Sequence, residues 1–264
     1  MSINFKNIIR NLYKSRIYNK PITRPITSTF PNKPVSEYNT IIPANIFQTW
    51  HTKKLPPMMF KAVNLLKMNN PGFKHFLFDD NECCEFIKKH FSTDVLNAYN
   101  SLIPGAYKAD LWRYCILYKY GGIYLDIKYT TVNGFKLINF LEQEHWPLDI
   151  NKKNIYNALL VCKPGNEILL KAINQIVDNV KNKYYGPSYL SPTGPELLSR
   201  FFTDDEKKTF IIYHELIGNN DSDKIIKFKK YPVLRCYTGY FKERDIYSKN
   251  VHYHVLWSKR KIYL

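Results

Sequence analysis

The most restrictive feature of this sequence is a predicted helix that ends in two glycines and runs directly into a predicted strand. The apolar spacing of residues 109–120 predicts the helix. Gly121 and Gly122 predict its end, since glycine readily takes the backbone conformation that closes a helix. The alternating residues 123–129 predict the strand. A chain that contains this unit folds with helices packed against a sheet.

Strands and helices continue to alternate through the body of the chain, which begins at residue 41. The predicted strands cover residues 46–50, 73–78, 123–129, 157–162, 210–213 and 233–237. The predicted helices cover residues 56–68, 79–91, 109–120, 166–180 and 193–202, and capping boxes of Asp79 with Glu82 and of Thr193 with Glu196 mark two helix starts. This order predicts an α/β fold with an open, mostly parallel sheet flanked by helices, which binds ligands at the carboxyl ends of its strands.

The chain is strongly basic, with a formal net charge of +17. Such a charge attracts polyanions. The basic residues are scattered along the sequence, however, whereas nucleic-acid-binding proteins usually gather them on one face or in one arm. We therefore favour a solvated basic surface and keep a basic nucleic-acid-binding protein as an alternative.

The first 40 residues differ from the rest because they are rich in basic residues and proline and contain no acidic residue before Glu37. They predict an N-terminal extension with an amphipathic helix over residues 3–17 and a flexible segment over residues 20–36. Residues 41–264 form the predicted domain. The five cysteines show no metal-binding spacing, and no secretory signal or membrane-spanning stretch is visible, so we expect a reducing, cytoplasmic location.

Polar residues on the central helix and strand form a candidate site. Asp110 and Arg113 are three residues apart and so share one face of the predicted helix. Tyr124, Asp126 and Lys128 share one face of the predicted strand and emerge near its carboxyl end. Alone, Asp110 and Arg113 would be an ordinary ion pair on a helix surface, but their place directly before this strand favours a binding site.

The run A-D-L-W-R-Y-C-I-L-Y-K-Y-G-G-I-Y-L-D at residues 109–126 resembles the DXD-motif sugar-binding glycosyltransferases known as glycosyltransferase family 32, which include initiating mannosyltransferases and capsular-polysaccharide transferases. Further segments resemble the family in its own order: I-P-A-N-I-F-Q-T-W at 42–50, F-D-D at 78–80, Asn157 before K-P-G, T-G-P at 193–195, and a His-containing segment at 252–257. The resemblance implies a GT-A-type nucleotide-binding fold and a retaining transfer of sugar from a nucleotide sugar to a glycan or another hydroxyl acceptor.

The resemblance also implies roles for individual residues. Asp110, Arg113 and Asp126 would be catalytic, and Thr193 and Gly194 would lie on the acceptor side. The donor, a UDP- or GDP-sugar, would contact the following residues: Trp50, His51, Asp110, Arg113, Tyr124, Asp126, Lys128, Asn157 and Trp257. Their chemistry agrees, because an arginine makes forked hydrogen bonds to phosphate or sugar oxygens and a carboxylate accepts from sugar hydroxyls.

The motif departs from the family at its second acid, where Asp126-Ile127-Lys128 stands in place of Asp-x-Asp. The second acid would normally bind Mn²⁺ or Mg²⁺ through its oxygens. A lysine about 4 Å from a divalent ion would instead repel it by roughly 8 kcal/mol at an effective dielectric of about 20. A conventional metal site is therefore in question.

Three interpretations of Lys128 stay open on the sequence alone. In the first, its ammonium replaces the metal and pairs directly with the diphosphate. In the second, it swings aside and a metal is held by Asp126 with His252 or His254, although such histidines on a predicted strand are as often structural. In the third, transfer is lost and a catalytically impaired protein that binds sugar or nucleotide is left.

Overall fold

The computed structural model of the protein describes residues 29–248 and 251–264. Within them the helices are α1 Pro57–Asn69, α2 Asp80–His90, α3 Thr93–Ser101, α4 Gly105–Tyr120, α5 Glu167–Lys181, α6 Pro195–Ser199, α7 Asp204–Lys208, α8 Tyr240–Tyr247 and α9 Tyr253–Ser258. The strands are β1 Asn45–Thr49, β2 Lys74–Phe78, β3 Gly122–Leu125, β4 Tyr129–Thr131, β5 Leu159–Cys162, β6 Ile212–Leu216, β7 Lys224–Phe228 and β8 Tyr231–Cys236. None of these helices combines the length and the apolar character that a membrane crossing needs.

The first sheet has the strand order β2-β1-β3-β5. Strand β1 pairs in parallel with both β2 and β3, and only the edge strand β5 runs antiparallel, against β3. Side chains of β3 alternate between two cores: Tyr124 packs with α4 and α5, whereas Ile123 and Leu125 pack on the opposite face. The predicted α/β fold with a mostly parallel sheet flanked by helices is confirmed.

A second, antiparallel sheet of order β4-β8-β7-β6 was not predicted. The predicted strand over residues 123–129 is in fact two strands in different sheets. β3 ends at Leu125, residues 127–128 form a turn, and β4 pairs with β8. Alternating apolar residues look the same in a strand that continues and in one that changes sheets. The junction places Asp126 and Lys128 in a turn between the two sheets.

The two predicted capping boxes have different outcomes. At α2, the Glu82 backbone N–H donates to Asp79 Oδ1 and the Asp79 N–H donates to Glu82 Oε2, both at 3.0 Å, so this prediction is confirmed. The box of Thr193 with Glu196 is wrong, because Gly194 caps α6 and the Thr193 hydroxyl donates instead to a buried carboxylate. The predicted helix to residue 202 accordingly ends at Ser199.

The chain packs against the domain well before residue 41. Phe30 is buried, with its ring 4.7 Å from that of Phe135, and its backbone N–H donates to the Asn133 carbonyl (2.8 Å). The expected flexible segment over residues 20–36 is therefore ordered from residue 29 onward. Its earlier part and the predicted helix over residues 3–17 lie outside the described residues, and the division at residue 40 stays a prediction.

The C-terminal segment also differs from its prediction. The alternation of His252 and His254 predicts a strand, but His252 caps helix α9 and His254 belongs to it. The backbone N–H of His254 donates to Nδ1 of His252 at the start of this helix. The sequence signal was misleading because side chains two residues apart share a face in a strand but not in a helix.

Gly122 at the start of β3 is a tightly constrained backbone position near the site. It has φ +121°, and an added Cβ would lie 2.8 Å from the Asn45 carbonyl oxygen on the neighbouring strand. We predict that Gly122→Ala lowers the free energy of unfolding by about 2 kcal/mol, through backbone strain and the close contact. Denaturant unfolding monitored by circular dichroism measures this.

The matched control is Gly72→Ala, in the turn before β2, where no atom lies within 4 Å of an added Cβ. We expect this variant to unfold like the original chain or to be up to about 1 kcal/mol more stable, because alanine restricts the unfolded chain. Equal effects of the two substitutions would contradict the assignment of strain to Gly122.

Candidate active site

A cavity of about 710 Å³ opens at the carboxyl ends of the two central parallel strands. Trp50 and His51 follow β1 into it, and Asp126 and Lys128 follow β3. One face of α4, which carries Asp110, also lines the cavity. The volume lies in the range of pockets that enclose small-molecule ligands, and the location is the usual ligand site of α/β sheets.

Asp110 is a buried carboxylate with each oxygen engaged. Oδ1 accepts from Asn157 Nδ2 (2.9 Å) and lies 3.3 Å from an Arg113 guanidinium nitrogen. Oδ2 accepts from the Thr193 hydroxyl (2.8 Å). Burial raises the pKa of Asp110 above its ordinary value, and the charge of Arg113 offsets this only in part. These contacts join α4 to the loops before β5 and α6.

Arg113 is the central cation of the site and is only 6% exposed. Its guanidinium donates to the Asn157 carbonyl (2.7 Å) and to the Ala109 carbonyl (3.1 Å). Besides its contact with Asp110, it lies 3.7 Å from Asp126 Oδ1. The guanidinium carbon is 4.2 Å from the centre of the Tyr124 ring, a stacking contact typical of arginine. Arg113 thereby brings both predicted catalytic carboxylates to one cavity.

Asp126 is held between a tyrosine hydroxyl and an ammonium group. Tyr124 donates to Oδ1 (2.9 Å) and Lys128 Nζ donates to Oδ2 (2.5 Å). Burial would raise the pKa of Asp126, but the nearby cations, Lys128 first, bring it below its ordinary value. The same carboxylate holds the pKa of Lys128 well above its ordinary value, against the effect of burial. Both groups are therefore charged at neutral pH.

Lys128 also lies among aromatic rings. Nζ is 5.2 Å from the centre of the Tyr129 ring and 5.7 Å from that of Tyr156. The hydroxyls of these two tyrosines are hydrogen-bonded to each other (2.8 Å), and Tyr156 stacks on His214 with ring centres 4.0 Å apart. The faces of aromatic rings attract cations, so this wall holds the ammonium at the edge of the cavity.

The residues at this turn do not fit the divalent cation that a DXD motif implies. The second oxygen-donor position is an ammonium, which cannot ligate a metal, and the first carboxylate is already paired with it. Across residues 29–248 and 251–264, no group of three or more His, Cys, Asp or Glu side chains could hold a metal ion. The predicted ligand set of Asp126 with His252 or His254 stays a prediction: Asp126 and His252 line the cavity, whereas His254 does not.

Most residues predicted to contact a donor line this cavity: Trp50, His51, Asp110, Arg113, Tyr124, Asp126, Lys128 and Asn157. Trp257 does not line it, because its indole N–H donates to the Tyr185 carbonyl (2.8 Å) and its ring packs into the helical core. Of the two residues predicted on the acceptor side, Gly194 lines the cavity and Thr193 is buried behind it. The roles of all these residues stay predictions.

Trp50 carries a buried polar atom with no partner within the described part of the chain. Its indole Nε1 has no hydrogen-bond partner there, although the residue lines the cavity. An unsatisfied buried N–H costs free energy. The atom itself is shielded from solvent, so it does not indicate what the cavity binds.

Sequence reasoning missed a second group of lining residues, which includes Tyr156, His214, Tyr240, Arg244 and Tyr253. Tyr156 directly precedes Asn157, so its neighbourhood carried a signal. Tyr240 and Arg244 belong to α8, a helix that no periodic pattern predicted, and His214 belongs to the unpredicted antiparallel sheet. His214 thus reaches the cavity from the second sheet, and Tyr240 and Arg244 reach it from the helix that follows β8.

Residues 56–146 match the family described as the glycosyltransferase sugar-binding region containing the DXD motif. Inositol phosphoceramide mannosyltransferase 3 of Schizosaccharomyces pombe is 30% identical over 166 residues, which are 62% of this chain and 46% of that protein. The initiation-specific alpha-1,6-mannosyltransferase of Candida albicans is 29% identical over 133 residues, 48% of this chain and 34% of that protein. The chain thus spans less than half the length of these relatives.

Among solved structures, the chain is similar to the PaToxG glycosyltransferase. The TM-score is 0.48 with 16% sequence identity, and the match covers 62% of this chain and 70% of that one.

Burial gives the structure an acid-sensitive set of histidines, one of which faces the cavity. The pKa of His214 is lowered to about 3, first by burial and then by the charge of Lys128, and burial lowers the pKa values of His75 and His145 to about 4. At these three histidines the folded state thus binds fewer protons than the unfolded state between about pH 4 and pH 6.5, so their contribution to stability falls as the pH falls through this range.

We predict that His214→Phe weakens this acid dependence. The variant keeps an aromatic ring against Tyr156, and His214 Nε2 has no hydrogen-bond partner in the described residues to lose. The slope of the free energy of unfolding against pH should be smaller in the variant than in the original chain by about 1.4 kcal/mol per pH unit, which is the contribution of one proton. Denaturant unfolding at several pH values below 6.5 measures the slope. Identical slopes for the two proteins would contradict the prediction.

Proposed function

We propose that this chain, a member through residues 56–146 of the glycosyltransferases with a DXD-type sugar-binding region, transfers a sugar from a nucleotide-sugar donor to a hydroxyl acceptor with retention at the anomeric carbon. The observation that carries the proposal is the convergence of Asp110, Arg113 and Asp126 on one cavity at the carboxyl ends of the central strands. The family resemblance supports retention.

The charges that line the cavity are suited to stabilise a diphosphate as it leaves the sugar. Negative charge grows on this leaving group as the bond to the sugar breaks, and fixed cations or dipoles aimed at that place stabilise the transition state. Arg113 is buried and Lys128 is partly buried, and both cations line the cavity. The carboxylates of Asp110 and Asp126 can accept hydrogen bonds from sugar hydroxyls while keeping these cations in position.

The reaction that fits this site is a front-face displacement. The bond from the anomeric carbon to the phosphate oxygen breaks, and its electron pair goes to that oxygen. The acceptor oxygen forms the new bond on the same face of the sugar, and its proton passes to the departing phosphate. Positioning of the two reactants and stabilisation of the leaving group supply the rate enhancement, and no nucleophile of the protein is required.

The relatives support mannose as the first sugar to test, since the names of both describe mannosyltransferases. Glucose, galactose and N-acetylglucosamine carried by UDP belong in the same screen as GDP-mannose. Release of nucleoside diphosphate from each donor, with and without a glycan acceptor, identifies the pair that is used.

A second candidate function is binding of sugar or nucleotide without transfer. It is favoured by Lys128, which stands where the family motif has an acid. If the chain only binds, a nucleotide sugar would raise its unfolding temperature, but no nucleoside diphosphate would be released. If the chain is a transferase, both effects would be observed.

We predict that Asp126→Asn lowers the rate of donor turnover by about 10- to 100-fold, the loss expected when a charged hydrogen-bonding group in the site becomes neutral. The matched control is Asp178→Asn, which changes an exposed carboxylate on α5. Steady-state release of nucleoside diphosphate measures both variants, and circular dichroism checks their folding. Turnover by the Asp126 variant at the rate of the original chain would contradict the assignment.

A further inference from the structure

The clearest departure of this chain from its family motif is an ammonium group that the cavity wall holds in place. Lys128 occupies the position of the second acid, and its ammonium is paired with Asp126 and walled by tyrosines. We propose that Lys128 is the resident cation of the diphosphate subsite, so that this chain binds its donor without a divalent metal. The inference rests on the proposed function, because it names the cation of the same site.

The first argument is the balance of charge. Asp110 and Asp126 carry two negative charges, and Arg113 and Lys128 carry two positive charges, so the four groups are neutral together. An Asp at residue 128 would leave the same four positions with two excess negative charges. One divalent cation neutralises that excess. The lysine therefore changes the charge of the site by the amount that a bound metal ion would supply.

The second argument is geometry. The Lys128 side chain is only 14% exposed, and the residue lies in the turn between β3 and β4, where its carbonyl accepts from the Tyr237 backbone N–H (2.9 Å). The hydrogen-bonded pair of Tyr129 and Tyr156 borders its ammonium. A cation fixed on several sides before the ligand arrives loses little conformational freedom on binding.

The third argument is donor capacity. An ammonium has three N–H donors, and Asp126 accepts one of them. The residue lines the cavity, so N–H donors can also reach oxygens of a ligand there. Lys128 stays protonated throughout: it accepts no proton and forms no bond, and it stabilises the electron pair that remains on the phosphate oxygen when the sugar leaves.

Calorimetric titration of the whole chain with GDP and UDP tests the proposal without any substitution. We expect the better of the two nucleotides to bind with the same affinity in excess EDTA as in Mn²⁺. Binding that disappears in EDTA and returns with Mn²⁺ would overturn the proposal, and so would the absence of binding to both nucleotides under both conditions.

Two variants extend the test. Lys128→Ala should weaken nucleotide binding in EDTA by about 10- to 100-fold, the effect of one charge-assisted hydrogen bond. Lys128→Asp rebuilds the Asp-x-Asp motif and should bind the nucleotide in Mn²⁺ but not in EDTA. The matched control, Lys171→Ala, removes an exposed lysine on α5 and should bind as the original chain does. Unchanged affinity of Lys128→Ala in EDTA would contradict the role of the ammonium.

The same experiments separate this inference from the proposed transferase. Sugar transfer that requires Mn²⁺ would leave the transferase standing and overturn the role of Lys128. Metal-independent binding that depends on Lys128, without transfer from any of the tested sugars, would support the cation and overturn the transferase.

Discussion

The candidate site depends on one buried guanidinium. Arg113 lies between Asp110 and Asp126, stacks on Tyr124 and donates to the Asn157 carbonyl, so it touches α4, β3 and the loop before β5. A buried charge is costly unless it is paired and hydrogen-bonded, and removal of one partner exposes the fold to that cost. The pairing of Arg113 therefore stabilises the fold and at the same time fixes the positions of the charged groups in the cavity.

The turn between the two sheets positions Asp126 and Lys128 at the cavity. β3 ends at Leu125 in the mostly parallel sheet and β4 begins at Tyr129 in the antiparallel one. The residues between them line the cavity while the backbone changes direction. Tyr129 of β4 and Tyr156 border the Lys128 ammonium, and His214 of β6 stacks on Tyr156. The second sheet thus contributes to the wall that holds the ammonium.

Much of the site was predictable from sequence because its signals are local. The spacing of Asp110 and Arg113 on a helix, and the place of Asp126 at the end of a buried strand, follow from chain periodicity. Three features do not follow from periodicity. They are the end of β3 at Leu125, the hydrogen bond from Thr193 to Asp110, and the position of Tyr240 in the cavity lining. Each depends on contacts between residues far apart in the chain, where a tertiary hydrogen bond or a change of sheet overrides the local pattern.

The most direct test of the account is a crystal structure of the chain with a nucleoside diphosphate, grown in EDTA. The account predicts phosphate oxygens within hydrogen-bond distance, about 2.7–3.2 Å, of Lys128 Nζ, in the cavity lined by Asp110, Arg113 and Asp126. A nucleotide bound elsewhere on the chain, or in this cavity with its phosphates turned away from Lys128, would contradict it.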